Sequence, residues 1–142
     1  MNHAGDIMTK DLICVGPDWS VREAIGLFVE HKVSGMPVID QHGVLRGMLT
    51  EFRLLEVLFN PQLRYCRVYD VMTHDVLTVA PDTLLSDVAA ILLQHLIRRL
   101  PVVENGKVVG IVSRSDLLRY VHEMGPQLDQ LVAAPAYFAL SE

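Results

Sequence analysis

Ser113, Arg114, Ser115 and Asp116 place two hydroxyls, a guanidinium and a carboxylate in four consecutive residues, directly after an apolar run. Leu100–Glu104 and Lys107–Val112 are short and rich in β-branched residues. Asn105-Gly106 between them supplies the positive-φ pair of a tight hairpin turn. The four polar residues therefore fall where a strand becomes a helix. Free backbone N–H groups and the positive end of the helix dipole favour an anion there. Two readings are open: a capping arrangement in which Ser113 accepts from a first-turn N–H, or a binding role.

Other chemistry is poorly served. His3, His31, His42, His74, His95 and His122 show no metal-ligand spacing, and there is no Walker A or G-x-G-x-x-G sequence. Cys14 alternates inward on a predicted strand, and Cys66 lies between Arg64 and Arg67 without the surroundings of a nucleophile. The residues thus point away from an enzyme.

The 142 residues suggest one domain, or two small units sharing a core. Apolar residues make up 51% and charged residues 20%, enough for a packed interior. The mean hydropathy of +0.30 is high, yet the longest apolar run, Val88–Leu93, is far too short to span a bilayer. The surplus reads as a subunit interface, hence a homodimer, without membrane insertion. MNHAGDIMTK lacks the features of a signal peptide. Two cysteines make no disulfide framework, so a reducing cytoplasm is the expected location. A net charge of −5 argues against nucleic acid as partner.

The chain repeats itself. Asp6-Ile-Met-Thr returns as Asp70-Val-Met-Thr, Pro17-Asp18 as Pro81-Asp82, and Met36-Pro37-Val38 as Leu100-Pro101-Val102, each 64 positions on. After a turn shortened by one residue, Gly47-Met-Leu-Thr50 returns as Gly110-Ile-Val-Ser113. The expected fold class is α/β (α+β): two β-α-β-β-α repeats packed about a pseudo-twofold axis, with a cleft between them. Residues 1–60 form the first repeat, 61–69 a linker, 70–125 the second repeat and 126–142 a partly helical arm.

Within each copy a short strand (Leu12–Val15; Val76–Val79) precedes a helix. The helices are marked by Val21, Ala24, Ile25, Phe28, Val29 and by Leu85, Val88, Ala89, Leu92, Leu93, Leu96. Ser20-x-x-Glu23 is a capping box, and Thr83-x-x-Ser86 a weaker start. Closing helices are expected from about Glu51 to Phe59, before Asn60-Pro61, and from about Ser115 to Met124.

Asp-h-Met-Thr opening each copy (h apolar), the x-Pro-Val strand and Gly-h-h-Ser/Thr together resemble the CBS domain, the unit named after cystathionine β-synthase, here as a tandem pair. The second copy carries the full Gly-h-h-Ser/Thr-x-x-Asp. The resemblance implies a regulatory module that binds an adenosine-containing ligand in the cleft, dimerises, and takes part in energy sensing. No second domain is present in the chain, so the regulated protein is expected in trans. No cofactor is required; AMP, ADP or ATP, with or without Mg, is the regulatory ligand.

Carried over residue by residue, the resemblance makes Asp116 the acceptor for both ribose hydroxyls and gives Ser113 and Ser115 to the sugar and phosphate. Ile111 lines the base pocket. Arg98 and Arg99 stand where related repeats keep phosphate-binding cations. Leu12 and Ile13 supply an apolar wall for adenine from the opposite copy. The first copy departs: Arg53 replaces the aspartate and Ser34-Gly35 replaces Arg98-Arg99, so one competent site is expected. Arg53 then either reaches the ligand's phosphate end or pairs with Glu51 or Glu56. The alternatives are a ligand-independent dimeric scaffold and an S-adenosylmethionine sensor. The paired arginines favour phosphate over a cationic sulfonium.

Overall fold

In the computed structural model, which describes residues 2–130, the elements follow in order α1 (Ala4–Ile7), α2 (Val21–His31), β1 (Gly35–Ile39), β2 (Leu45–Thr50), α3 (Glu51–Leu54), α4 (Val68–Val71), α5 (Leu85–His95), β3 (Arg99–Glu104), β4 (Lys107–Ser113) and α6 (Arg114–Met124). Two hairpins result, β1-β2 and β3-β4. The tight turn expected at Asn105-Gly106 forms, with φ of 55° and 79°. The arm at 126–142 enters with a 3₁₀ stretch, Gly125–Gln130; residues 131–142 lie outside the described residues.

The described chain divides into two compact units. The first unit comprises residues 11–76 with 105–108; the second comprises 2–10, 77–104 and 109–130. Spatial unit and sequence repeat therefore differ at the beginning of each copy. Ala4 is fully buried in the core of the second unit, beside Val79, Val88, Leu92, Leu100, Val102 and Val112. Val68, its counterpart 64 positions on, is fully buried in the first, beside Val15, Ala24, Phe28, Met36, Val38 and Leu49. Each copy's opening helix thus completes the core of the unit containing the other copy's strands. The repeat extends to the core positions themselves, so the same packing problem is solved twice with different volumes, Phe28 and Met36 against Leu92 and Leu100.

The segments 12–15 and 76–79 do not become strands. Each makes one parallel bridge, Val15 to Val38 and Val79 to Val102. Val15 N–H donates to Pro37 O (3.2 Å) and Val15 O accepts from Ile39 N–H (2.8 Å); Val79 does the same with Pro101 O and Val103 N–H (3.0 and 2.8 Å). The next ladder bond would need an N–H at Pro37 or Pro101, and proline has none. The x-Pro-Val motif itself cuts the ladder.

Helix ends follow local chemistry. Ser20 caps α2: Ser20 Oγ accepts from Glu23 N–H (3.1 Å), while Glu23 Oε1 accepts from Ser20 N–H (3.1 Å). Thr83 instead accepts from Ala80 N–H, and α5 has Leu84 at its N-cap, without a side-chain cap. The helix expected over 51–59 is α-helical only through Leu54 and tightens to 3₁₀ over Leu55–Leu58. Asn60, at φ −143° and ψ 83° before Pro61, ends it.

The Glu23 carboxyl is held below the usual range, chiefly by the Ser20 N–H and then by its hydroxyl. Its folded value lies below the unfolded one, so its contribution is present above about pH 4.5 and is lost as pH falls through the folded value. Melting curves of wild type and Glu23→Gln should therefore separate at neutral pH and converge in acid; a gap constant with pH refutes this.

Candidate functional site

β3 begins with Arg99 and β4 ends with Ser113, so the hairpin brings the paired arginines and the Ser113–Asp116 turn to one end of the second unit. The Arg98 carbonyl accepts from Arg114 N–H at 3.0 Å, fixing that junction. Ser115 is exposed on the first turn of α6, Arg98 is exposed, and Arg99, Ile111 and Ser113 are half-buried.

Asp116 is the one buried charged side chain among the described residues, 5% exposed. It completes a capping box: Ser113 Oγ accepts from Asp116 N–H (3.2 Å), and Asp116 Oδ2 accepts from Ser113 N–H (2.9 Å). Asp116 Oδ1 accepts from Thr9 Oγ1 (3.3 Å) and pairs with Arg119 Nη1 (3.3 Å). Capping is therefore realised. A carboxylate has about four lone-pair positions, so capping and sugar binding are compatible.

Thr9 and Arg119 are additions that the sequence reading missed. Arg119 follows Asp116 by one helical turn, a spacing that brings side chains together. Thr9 closes the first Asp-h-Met-Thr, and its backbone exchanges two bonds with Ile111 (2.8 and 3.0 Å). The recurrence of that threonine was its only signal.

In the first unit the corresponding turn has a different occupant. Thr50 caps α3 by accepting from Arg53 N–H (3.3 Å). Arg53 Nε donates to Val71 O (3.0 Å), and Nη1 pairs with Glu56 (3.1 Å), one of the two acids named above. Leu12 and Ile13 belong to this unit; both are half-buried, and Ile13 packs against its core. Among the described residues no cluster of His, Cys, Asp or Glu could hold a metal, and no helix is long and apolar enough to cross a membrane.

A family profile described as CBS domain matches residues 4–60 and 68–123. The CBS domain-containing protein YhcV of Bacillus subtilis is 37% identical over 119 residues, covering 82% of this chain and 84% of its own. The structure of CBSX2 in complex with AMP superposes with a TM-score of 0.78 at 38% identity, covering 87% of this chain and 98% of that one. This chain spans 61% of the full chloroplastic CBSX2 of Arabidopsis thaliana. The CBS domain pair of MJ0100, in complex with 5-methylthioadenosine and S-adenosyl-L-methionine, gives a TM-score of 0.77 at 27% identity, covering 87% and 98%.

Proposed function

This chain belongs to the CBS-domain family, and from that premise we propose that it is a regulatory module that binds an adenine nucleotide and signals its occupancy to a partner protein. The observation that carries the reading is Asp116: a carboxylate held by Ser113, Thr9 and Arg119 at the end of the hairpin that also carries Arg98 and Arg99, in a chain whose relatives are solved with AMP and with S-adenosyl-L-methionine. In this reading the ribose diol donates to Asp116, Ser113 and Ser115 face the sugar and phosphate, and Arg98 and Arg99 take the phosphate. Ile111 contacts the base.

Phosphate is favoured over a sulfonium, because two guanidiniums repel a cation. The committed contacts of Arg53 favour its internal role over a ligand contact. A regulatory ligand shifts an equilibrium only by its differential affinity for two states, so signalling requires the bound and free forms to differ.

A homodimer is part of the same reading. Val29, Leu55 and Leu58 are exposed apolar residues on the first unit, as are Leu96 and Leu118 on the second. Light scattering should give twice the 15.9 kDa chain mass, and a monomer at micromolar concentration removes it. The free cysteines Cys14 and Cys66 fit a reducing cytoplasm.

Calorimetric titration with AMP, ADP, ATP and S-adenosylmethionine tests the nucleotide reading. Saturable heat from a nucleotide, with affinity at least tenfold lower in Asp116→Asn, is the expected outcome. Absence of binding by all four favours the ligand-independent scaffold.

A further inference from the structure

Within the first unit lies an open groove of about 960 Å³, walled by the segment around Trp19, the turn carrying His42 with Arg46, and the pair Arg67 and Tyr69. Its volume falls in the range of small-molecule sites. Main-chain bonds tie its walls together: Ile39 N–H donates to Val15 O (2.8 Å), Val68 N–H to Trp19 O (2.7 Å) and Tyr69 N–H to Pro17 O (3.0 Å). The Trp19 indole sits against Gly16, where a Cβ would come within 3.0 Å of its Cδ1 and Nε1. Trp19 is nevertheless 42% exposed and Tyr69 38% exposed.

The cations are loosely held. Arg67 lies 3.6 Å from Asp18, 3.5 Å from Asp70 and 5.3 Å from the centre of the Tyr69 ring. Arg46 lies 3.6 Å from Asp40, whose Oδ1 accepts from the N–H groups of His42 (2.8 Å) and Val44 (3.1 Å) in the turn. Arg67 and both its acids are largely solvent-exposed, and Arg46 is itself about half exposed beside the more enclosed Asp40, so an incoming anion can compete for both guanidiniums.

The fold does not demand these side chains. The same backbone bonds recur in the second unit, Ala4 N–H to Thr83 O and Gly5 N–H to Pro81 O, each 2.8 Å. There the positions matching Trp19, Arg46, Arg67 and Tyr69 hold Thr83, Val109, His3 and Gly5. Identical scaffolding carries two aromatic rings and two guanidiniums in one unit and neither in the other.

We propose that this groove is a ligand site separate from the Ser113–Asp116 turn, for a planar aromatic ring bearing a phosphate, with the ring on Trp19 and Tyr69 and the anion on Arg46 and Arg67. Arginine suits a phosphate through its planar fork of donors, and indole and phenol faces suit a flat ring. His42 adds a further donor at the rim.

Trp19 is the sole tryptophan, so its emission reports directly on the groove. The full chain is titrated with AMP, phenyl phosphate, adenosine and inorganic phosphate. AMP or phenyl phosphate should quench the emission saturably, with adenosine and inorganic phosphate at least tenfold weaker. The tighter of the first two identifies a nucleotide or a smaller aromatic phosphate. Quenching should survive in Asp116→Asn and weaken at least tenfold in Arg67→Ala. Arg46→Gln, which removes a single ion pair at 3.6 Å, serves as the second variant and should weaken it similarly.

Unchanged emission with both aromatic phosphates overturns the proposal, as does quenching abolished by Asp116→Asn or untouched by both arginine substitutions. Calorimetry of Asp116→Asn made in the Arg67→Ala background reads the Ser113–Asp116 turn alone, so the two readings fail separately.

Discussion

Gly47→Val is expected to destabilise the protein by about 3 kcal/mol and lower its Tm by about 10 °C. A Cβ at Gly47 would stand 2.5 Å from Thr73 O and 2.7 Å from Met72 Sδ. The sulfur can move; the carbonyl cannot, because Met48 and Thr73 exchange two backbone bonds at 3.0 and 2.8 Å beside it. Relieving the overlap breaks that bridge and shifts Met72, a member of the first core. At Gly110 the colliding group is the side chain of Met8 alone, so the same substitution should cost less. Gly26, exposed within α2 with open space around it, should gain about 0.5 kcal/mol on changing to alanine. Urea denaturation of Gly47→Val, Gly110→Val and Gly26→Ala should rank Gly47 below Gly110 below Gly26. Equal midpoints refute the close-approach explanation.

Those two glycines also show how much of the fold was legible. Gly-h-h-Ser/Thr and Asp-h-Met-Thr were both visible as repeated motifs, and the structure shows that they are partners: Met72-Thr73 lies on Gly47, and Met8-Thr9 lies against Gly110. Their pairing was hidden by the repetition itself. Two copies of one motif fit either glycine equally well on paper, and only chain geometry sends residues 2–10 to the second unit. Hairpins, turns and the Ser20 cap were readable because each depends on neighbouring residues. The aborted strands at Val15 and Val79 depended on a missing N–H in a different segment, which a window along the sequence does not see.

The candidate site divides in the same way. Arg98, Arg99, Ile111, Ser113, Ser115 and Asp116 are local to one hairpin and its following helix, so the resemblance of a single short stretch was enough to single them out. Thr9 contacts Asp116 across 107 positions and escaped notice. Arg53 was recognised as a departure from the pattern, and its geometry explains how the fold tolerates it. A guanidinium that accepts nothing turns instead to the Val71 carbonyl and Glu56, two acceptors its own unit supplies. The groove around Trp19 went unread because its residues come from three segments with no shared motif.

Asp116→Ala is expected to destabilise the protein by about 2 kcal/mol, a fall of about 6 °C in Tm, before any ligand is added. The substitution removes the acceptor for Ser113 N–H, unpairs the Thr9 hydroxyl and frees Arg119. Thr9→Val alone should cost about 1 kcal/mol, and the double variant less than the sum, because both delete one interaction. Asp116→Asn keeps an oxygen for Ser113 and should fall between wild type and alanine. Ligand then separates structure from binding. A nucleotide that binds only the folded chain raises Tm according to its affinity and concentration. In the Arg67→Ala background, where the Trp19 groove no longer contributes, saturating AMP should therefore raise the melts of the otherwise unaltered chain and of Thr9→Val by similar amounts while leaving Asp116→Asn nearly unmoved. An equal rise in all three would make Asp116 a capping residue alone and shift the nucleotide elsewhere on the chain. A rise lost in both Thr9→Val and Asp116→Asn would mean that the carboxylate binds only when the hydroxyl from the other end of the sequence holds it in place.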